Sequence, residues 1–392
     1  MCRYRAGVLV LLTLLILATT GCWDRVEIEE RGFVVGAGID IAEEEQAEKG
    51  KYLLTFQFVV PSGLQSKESG GKGGSKGEAY FNLTSAGNTM FTAARNMSYR
   101  TSRSPYLQHN RLILISEELA LRGEFVKTLD LFLRDHEMRR ATKVMVAEGK
   151  ASELLEVKPK NEKIPIMYFE STAENPPKSA RIYPPTNIGD VQSFILSKTS
   201  FALPKLSKLD DEVSVSGSAV FDGASQRLKG FLNDRETSGL NFLRGTAQEG
   251  VLEFKMNDDF LAYEIKGLKR KIRADVSDLE HIRFTLFLDM EGNIGETQER
   301  INLLKQYEVS EIEQKAADEL FKLTTSTIER VQQKFRVDVI GLGDYLKQQH
   351  YSVWKKIKDN WDRGDNIFAQ SDIVVEARAE VRIFGSTVET NN

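Results

Sequence analysis

The sequence predicts an α+β protein of more than one domain, with mixed or antiparallel sheets and helices packed on one face. Three observations carry that prediction. From Asp372 to Phe384, Val375, Ala377, Ala379, Val381 and Ile383 alternate with Glu376, Arg378, Glu380 and Arg382, the period of a half-buried strand. From Ser310 to Phe335, Ile312, Ala316, Leu320, Leu323, Thr327, Val331 and Phe335 recur at steps of three and four, the apolar stripe of a long helix. The chain has 392 residues, more than one core of ordinary size. It divides into a leader (1–21), an N-terminal α+β region (22–205) that itself accommodates two subdomains, and a C-terminal α+β domain (206–392).

Taken in order, Arg31 to Asp40 and Lys51 to Val60 read as a strand and its hairpin partner, rich in β-branched and aromatic residues. Ser62 to Glu78 is glycine-rich and nearly devoid of apolar residues. It lacks the G-x-x-x-x-G-K-[ST] spacing of a phosphate-binding loop, so it reads as a flexible surface loop. Thr84 to Tyr99 carries Met90, Ala93, Ala94 and Met97 at helical spacing. Arg111 to Ile115 is a short apolar strand. Ser116 then caps a helix whose first turn holds Glu117 and Glu118. Phe125, Leu129, Phe132 and Leu133 mark the next helix. A strand at 142–147 and a short helix at 150–157 follow.

Lys158 to Thr186 holds most of the prolines and reads as an irregular crossing segment. Val191 to Leu206 reads as a helix leading to a linker, "KLSKLDDE". Val213 to Leu232 is a hairpin turning near Asp222-Gly223, and Glu236 to Gly245 a helix start or turn. Val251 to Glu264, Leu268 to Val276 and His281 to Met290 read as successive strands. After the long helix and a Gly-Leu-Gly break, a second helix places Trp354, Ile357 and Trp361 in register. The C-terminal half is thus expected to be an antiparallel sheet covered on one face.

The search for chemistry returns little. The four histidines, His109, His136, His281 and His350, are isolated in sequence, no H-E-x-x-H pattern occurs, and the one G-x-S-x-G string, Gly73 to Gly77, lies in the glycine-rich loop and makes no nucleophile elbow. The only cysteines are Cys2 and Cys22, too few for a disulfide framework or a cysteine-based metal site. Net charge is −4, which leaves no dominant basic field for nucleic acid. No catalytic residue, cofactor or metal is assigned. "HNR" at His109 to Arg111 and "RDHEMRR" at Arg134 to Arg140 are polar clusters that serve either as a binding patch or, more ordinarily, as salt-bridged element ends. The spacing of Trp354 and Trp361 fits core packing better than a ligand box.

The N-terminus is the informative stretch. Arg3 and Arg5 precede an apolar run from Val8 to Ala18, then small residues, then Cys22. A run this short does not cross a hydrocarbon core of ~30 Å. It has the anatomy of a secretory signal. A small-residue stretch ending in Gly21-Cys22 resembles a bacterial lipobox, with Thr19 where leucine is usual. The thiol of Cys22 is expected to carry thioether-linked diacylglycerol, with a further acyl chain on the new N-terminus.

Several stretches together, in order, resemble the C-subunit lipoproteins of spore germination receptors. They are "GCWDRVEIEE", "GAGID", "HNRLILISEELALRG", "LDLFLRDHEMR", "SGSAVFD", "ETSGLNFLRG" and "DVIGLGDYLKQQHYSVWKKIKDNW". The resemblance covers essentially the whole chain. It implies three α+β domains along the chain and a non-catalytic protein anchored through lipid on Cys22 to the outer face of the inner spore membrane. It also implies A and B receptor subunits as membrane-protein partners, in a complex that answers nutrients during germination. Whether this subunit itself holds a nutrient stays open. An extracytoplasmic solute-binding lipoprotein is the competing reading and would need a crevice between domains. A surface hydrolase is disfavoured for want of a nucleophile or metal cluster.

Overall fold

The structure is a computed structural model that describes residues 30–43, 48–64, 78–174, 179–210, 212–257, 259–298 and 305–383. Cys22 and most of the glycine-rich loop lie outside the described residues. Within the described residues fourteen strands form a ten-stranded and a four-stranded sheet.

The large sheet begins with β1 (Arg31–Ile41), antiparallel to β2 (Tyr52–Val59), which pairs with β3 (Tyr80–Gly87). Residues 84–87, expected in a helix, are therefore strand. Thr84 faces Thr55 in the ladder, and the helix α1 (Met90–Met97) starts only after Thr89, whose hydroxyl accepts from the Thr92 amide. The short β4 (Ser104–Tyr106) runs parallel to the start of β1. β5 (Leu112–Ser116) then enters beside β1, followed by α2 (Glu117–Leu121), α3 (Phe125–Arg134) and β6 (Lys143–Ala147). β1, β5 and β6 are mutually parallel and form the centre of the sheet. As the sequence indicated, the Ser116 hydroxyl caps α2, accepting from the Leu119 amide.

Both faces of this sheet are covered. On one, Ala37, Ile39, Ile113, Ile115, Val144 and Val146 pack with α1, α2 and α3. On the other, Leu112, Leu114, Met145 and Ala147 pack against α4 (Ala151–Leu155) and α5 (Pro165–Ala173). The alternating glycines of β1 make the second layer possible. A Cβ at Gly36 would lie 2.2 Å from Ile166 Cγ1 on α5, and one at Gly38 would lie 2.9 Å from Leu155 Cδ1 on α4. Asp40, next on that face, accepts from the Ala151 and Ser152 amides at 2.7 and 3.0 Å and so caps α4. The proline-rich segment is thus not irregular throughout: Pro165 takes the first helical position of α5, where its missing N–H costs nothing.

After β7 (Thr186–Asn187), α6 (Ile188–Ser197) ends at a left-handed Lys198, and Phe201–Leu209 is strand β8 rather than helix. The expected linker is the tip of a hairpin, because β8 pairs antiparallel with β9 (Glu212–Asp222), which pairs with β10 (Arg227–Leu232). The expected division at 205/206 falls inside β8.

α7 (Asp234–Arg244) joins the two sheets. Leu240, Phe242 and Leu243 belong to one core shared by Ala202, Val220 and Leu232 of the large sheet and by the small one. The small sheet runs β11 (Gly250–Met256), β12 (Asp259–Asp275), β13 (Arg283–Thr297) and β14 (Asp372–Ile383). The expected single strand 251–264 is a hairpin, turning at a left-handed Asn257. β14 is parallel to β13, so the sheet is mixed, not antiparallel. The reason is the crossover between them, which carries α8 (Gln306–Glu329), α9 (Leu342–Gln349) and α10 (Tyr351–Ile357), and such crossovers connect parallel strands. Every residue of the expected α8 stripe through Thr327 is buried, as are Val331 and Phe335 in the wider turn that ends it. The expected second helix is two, broken at His350, and Trp361 lies beyond both.

Candidate functional site

Two openings organise what the chain offers to a ligand or partner. The first is a groove of about 570 Å³ where β1, β5 and β6 begin. The backbone of "HNR" is knitted into that end: the Arg111 amide donates to Val35 O, and the Lys143 amide donates to Arg111 O. Asn110 is 3 % exposed, and its side-chain oxygen has no hydrogen-bond partner among the described residues. Its carbonyl accepts from the Thr142 hydroxyl at 2.9 Å. Phe33, Val35, Val59 and Met167 give the groove an apolar floor, and Gln108, His109, Asn110, Arg111, Arg139 and Glu170 a polar rim. His109 packs edge-on to Phe33 and to Tyr106. Glu170 is neutralised by Arg111 at 2.5 Å and Lys143 at 2.9 Å. The Arg139 guanidinium has no ion pair or hydrogen bond among the described residues.

Of the two polar clusters noted in the sequence, the structure therefore brings His109, Asn110, Arg111 and Arg139 together. Arg134 instead pairs with Asp130 on α3 at 2.8 Å, and Arg140 donates to Gln192 at 2.8 Å. The floor and Glu170 were not found by sequence reasoning. They come from separate strands and from α5, and no spacing links them.

The second opening, about 230 Å³, lies between α6 and β8 of the large sheet and α9, α10 and the following turn. Several of its charged groups are committed, although Arg244 Nε is buried without a partner among the described residues. Asp338 accepts from the amides of Gly341, Leu342 and Gly343 at 2.8, 3.2 and 2.6 Å and from the Trp361 indole at 2.9 Å. Asp362 accepts from the Ser200 hydroxyl at 2.6 Å across the opening. Burial raises the pKa of Asp362 and of Asp344. Arg244 donates to Val339 O at 2.6 Å. Behind it, burial and the Arg244 charge push Arg270 down to about 10. Trp354 and Trp361 meet edge-to-face, with centroids 6.2 Å apart. Both pack against the core of the small sheet.

Among the described residues no group of three or more His, Cys, Asp or Glu side chains is placed to hold a metal, and no helix is long and apolar enough to cross a membrane. The chain enters the described fold at Glu30 and Arg31, at the groove end of β1.

Comparison with known proteins gives a consistent result. Residues 24–208 match the family profile "Spore germination protein N-terminal domain", and residues 216–385 match "Spore germination B3/GerAC like, C-terminal". Spore germination protein YndF of Bacillus subtilis (strain 168) is 29% identical over 97% of each chain. Spore germination protein B3 of the same organism is 27% identical over 95% of this chain and 96% of that one. The crystal structure of the GerBC protein superposes with a TM-score of 0.60 at 22% identity, over 90% of this chain and 99% of that chain, and shares the fold. The chain belongs to the C-subunit family of spore germination receptors.

Proposed function

We infer that this chain is the lipid-anchored, non-catalytic subunit of a nutrient receptor complex in the inner spore membrane. It is held on the outer face through Cys22 and assembled with the receptor's A and B membrane subunits. The observation that carries the reading is a basic and apolar leader ending in Gly21-Cys22 at the head of a chain of this family. Diacylglycerol plus a third chain supplies the two or more acyl signals that stable anchoring requires. Replacing Cys22 by Ala is expected to leave the folded body intact and release it from membranes on detergent-free fractionation. Membrane retention equal to that of the unaltered chain would overturn the reading. Co-purification from spore membranes tests the partners directly.

The crevice between the sheets favours a second reading, in which this subunit itself holds the nutrient. Aromatic walls from Tyr183 and Trp354 stand beside Asp344 and Lys347, a mixed-charge lining of the kind that suits a zwitterion. Two facts weigh against it. At about 230 Å³ the space falls below the ~300–1,000 Å³ of ordinary ligand pockets, and Asp338 and Asp362 already hold internal donors. Calorimetric titration with amino acids and sugars separates the two readings. Saturable heat from any of them supports the second.

A further inference from the structure

The groove at the start of β1 has three properties that no internal contact explains. Its Asn110 side-chain oxygen is buried without a donor, which leaves a desolvation cost that a bound N–H or O–H would relieve. Its Arg139 is an exposed cation with no ion pair or side-chain hydrogen bond among the described residues. Its floor of Phe33, Val35, Val59 and Met167 is apolar and open. A ligand that satisfies all three carries an anion, a hydrogen-bond donor and a hydrocarbon part.

The sheet is also electrically polarised. At the groove end Arg31, Arg103, Arg111 and Arg139 sit at or before the starts of β1, β4, β5 and β6, with Glu30, Glu137 and Glu170 among them, which leaves a small basic excess. Arg31 is stacked 4.0 Å over the Tyr106 ring. At the opposite end, where the same central strands finish, a smaller opening is lined by Asp40, Glu43, Glu117 and Glu118 with the single cation Lys150. A basic end is drawn to an anionic bilayer by about 1 kcal/mol per cation near the surface, and the acidic end is repelled.

Chain length places the same end near the bilayer, an argument that rests on the anchoring at Cys22 proposed above. Seven residues, and so eight steps of the chain, separate Cys22 from Glu30, so the groove end lies within about 26–29 Å of the anchored residue even with that segment fully extended.

We propose that this groove binds the headgroup of an anionic, hydroxyl-bearing phospholipid of the phosphatidylglycerol type and so turns the starts of β1, β5 and β6 toward the membrane. The phosphodiester meets Arg139 at the rim beside Arg111, the buried Asn110 amide turns its oxygen toward the groove to accept from a headgroup hydroxyl, and the first methylenes of an acyl chain lie on Phe33 and Val35. A free phosphate ester leaves the apolar floor unused. A choline headgroup has no donor for Asn110 and brings a cation to a basic rim.

The test uses the full acylated chain in a mild non-ionic detergent, titrated by calorimetry with short-chain dihexanoyl phosphatidylglycerol. Dihexanoyl phosphatidylcholine and glycerol 3-phosphate are the comparison probes. Saturable binding of the phosphatidylglycerol at least tenfold tighter than of either comparison probe is expected. Arg139→Gln and Asn110→Leu should each weaken it tenfold or more, and added salt should weaken it further. Arg134→Gln, whose partner is Asp130, should leave it unchanged. Equal affinity for the choline lipid, or an unchanged Arg139→Gln variant, overturns the proposal. Equal affinity for glycerol 3-phosphate overturns the lipid as occupant. The intact mass of the same preparation keeps the two readings apart. An acylated Cys22 without lipid preference removes the groove proposal alone. An unmodified Cys22 removes the tether, and the titration still decides the groove.

Discussion

The groove at the start of β1 and the crevice between the two sheets are built from similar residue types, and they differ in what those residues are bound to. In the crevice, the carboxylate of Asp338 is saturated by three amides and an indole, and Asp362 holds the Ser200 hydroxyl of the facing sheet. In the groove, the buried Asn110 oxygen and the exposed Arg139 guanidinium hold nothing among the described residues, while Glu170 is held by Arg111 and Lys143. Carboxylates that hold several internal donors fix a structure, although Nε of Arg244 in the crevice and Nε and Nη2 of Arg270 behind it are also buried without a partner among the described residues. The carboxylates of the crevice therefore act as a joint, whereas the groove presents its cation Arg139 to solvent.

The sharpest way to break that contrast is to remove the joint. Asp338→Ala deletes the acceptor of four donors at a residue only 6 % exposed. The turn at 341–343 would lose its anchor and Trp361 its indole partner, leaving buried N–H groups unsatisfied. The expected loss is roughly 3–4 kcal/mol, read as a lower urea midpoint with an unchanged slope. A loss below about 1 kcal/mol would mean that the crevice carboxylates are not structural, and the contrast with the groove would fail.

The second test runs in the opposite direction. Asn110→Leu replaces a buried amide, whose one side-chain hydrogen bond among the described residues is a 4.0 Å approach of Nδ2 to the Met138 sulfur, by an apolar group of similar size. The backbone bonds of residue 110 do not involve its side chain. Stability is expected to rise by about 1 kcal/mol or stay level, measured by the same urea titration. Such a gain is what removing a buried, unpartnered amide oxygen predicts. Destabilisation by more than about 1 kcal/mol would show instead that Asn110 is structural.

The same distinction explains what could be read from the sequence. Elements set by local chemistry were legible. The Ser116 cap, the α8 stripe and the alternation of β14 each depend on residues a few positions apart, and each is where its pattern put it. Boundaries set by tertiary pairing were not. Thr84 to Gly87 carries small and hydroxyl residues compatible with helix or strand, and only pairing with β2 decides between them. Pro165 reads as a breaker whether it ends order or, as here, begins a helix. Gly36 and Gly38 were seen as part of a strand, but their purpose depends on Ile166 and Leu155, far along the chain. The groove was half legible. "HNR" and Arg139 stood out as polar clusters, whereas the floor that turns them into a site is assembled from β1, β2 and α5.

The smallest expected effect is the most specific to the joint. Asp362 has its pKa raised in the folded state, chiefly by burial and also by the Asp338 and Asp222 charges, while the Ser200 hydrogen bond opposes the rise. Between the ordinary value of 3.8 and the raised folded value, the native state binds more protons than the unfolded chain. The contribution of Asp362 to stability then falls as pH rises through that window and grows as pH drops from neutral toward about 4. Asp344, raised by burial and by Asp338, adds a contribution of the same sign. Asp362→Asn keeps an acceptor for Ser200 and removes one titrating group, so it should flatten the acid-side gain and leave the variant at least as stable as the parent at pH 7. Parallel urea titrations between pH 4 and 7 read this directly. An undiminished slope in the variant would mean that Asp362 is ionised and comfortable where it sits, and that the crevice is wetter and more open than a joint should be.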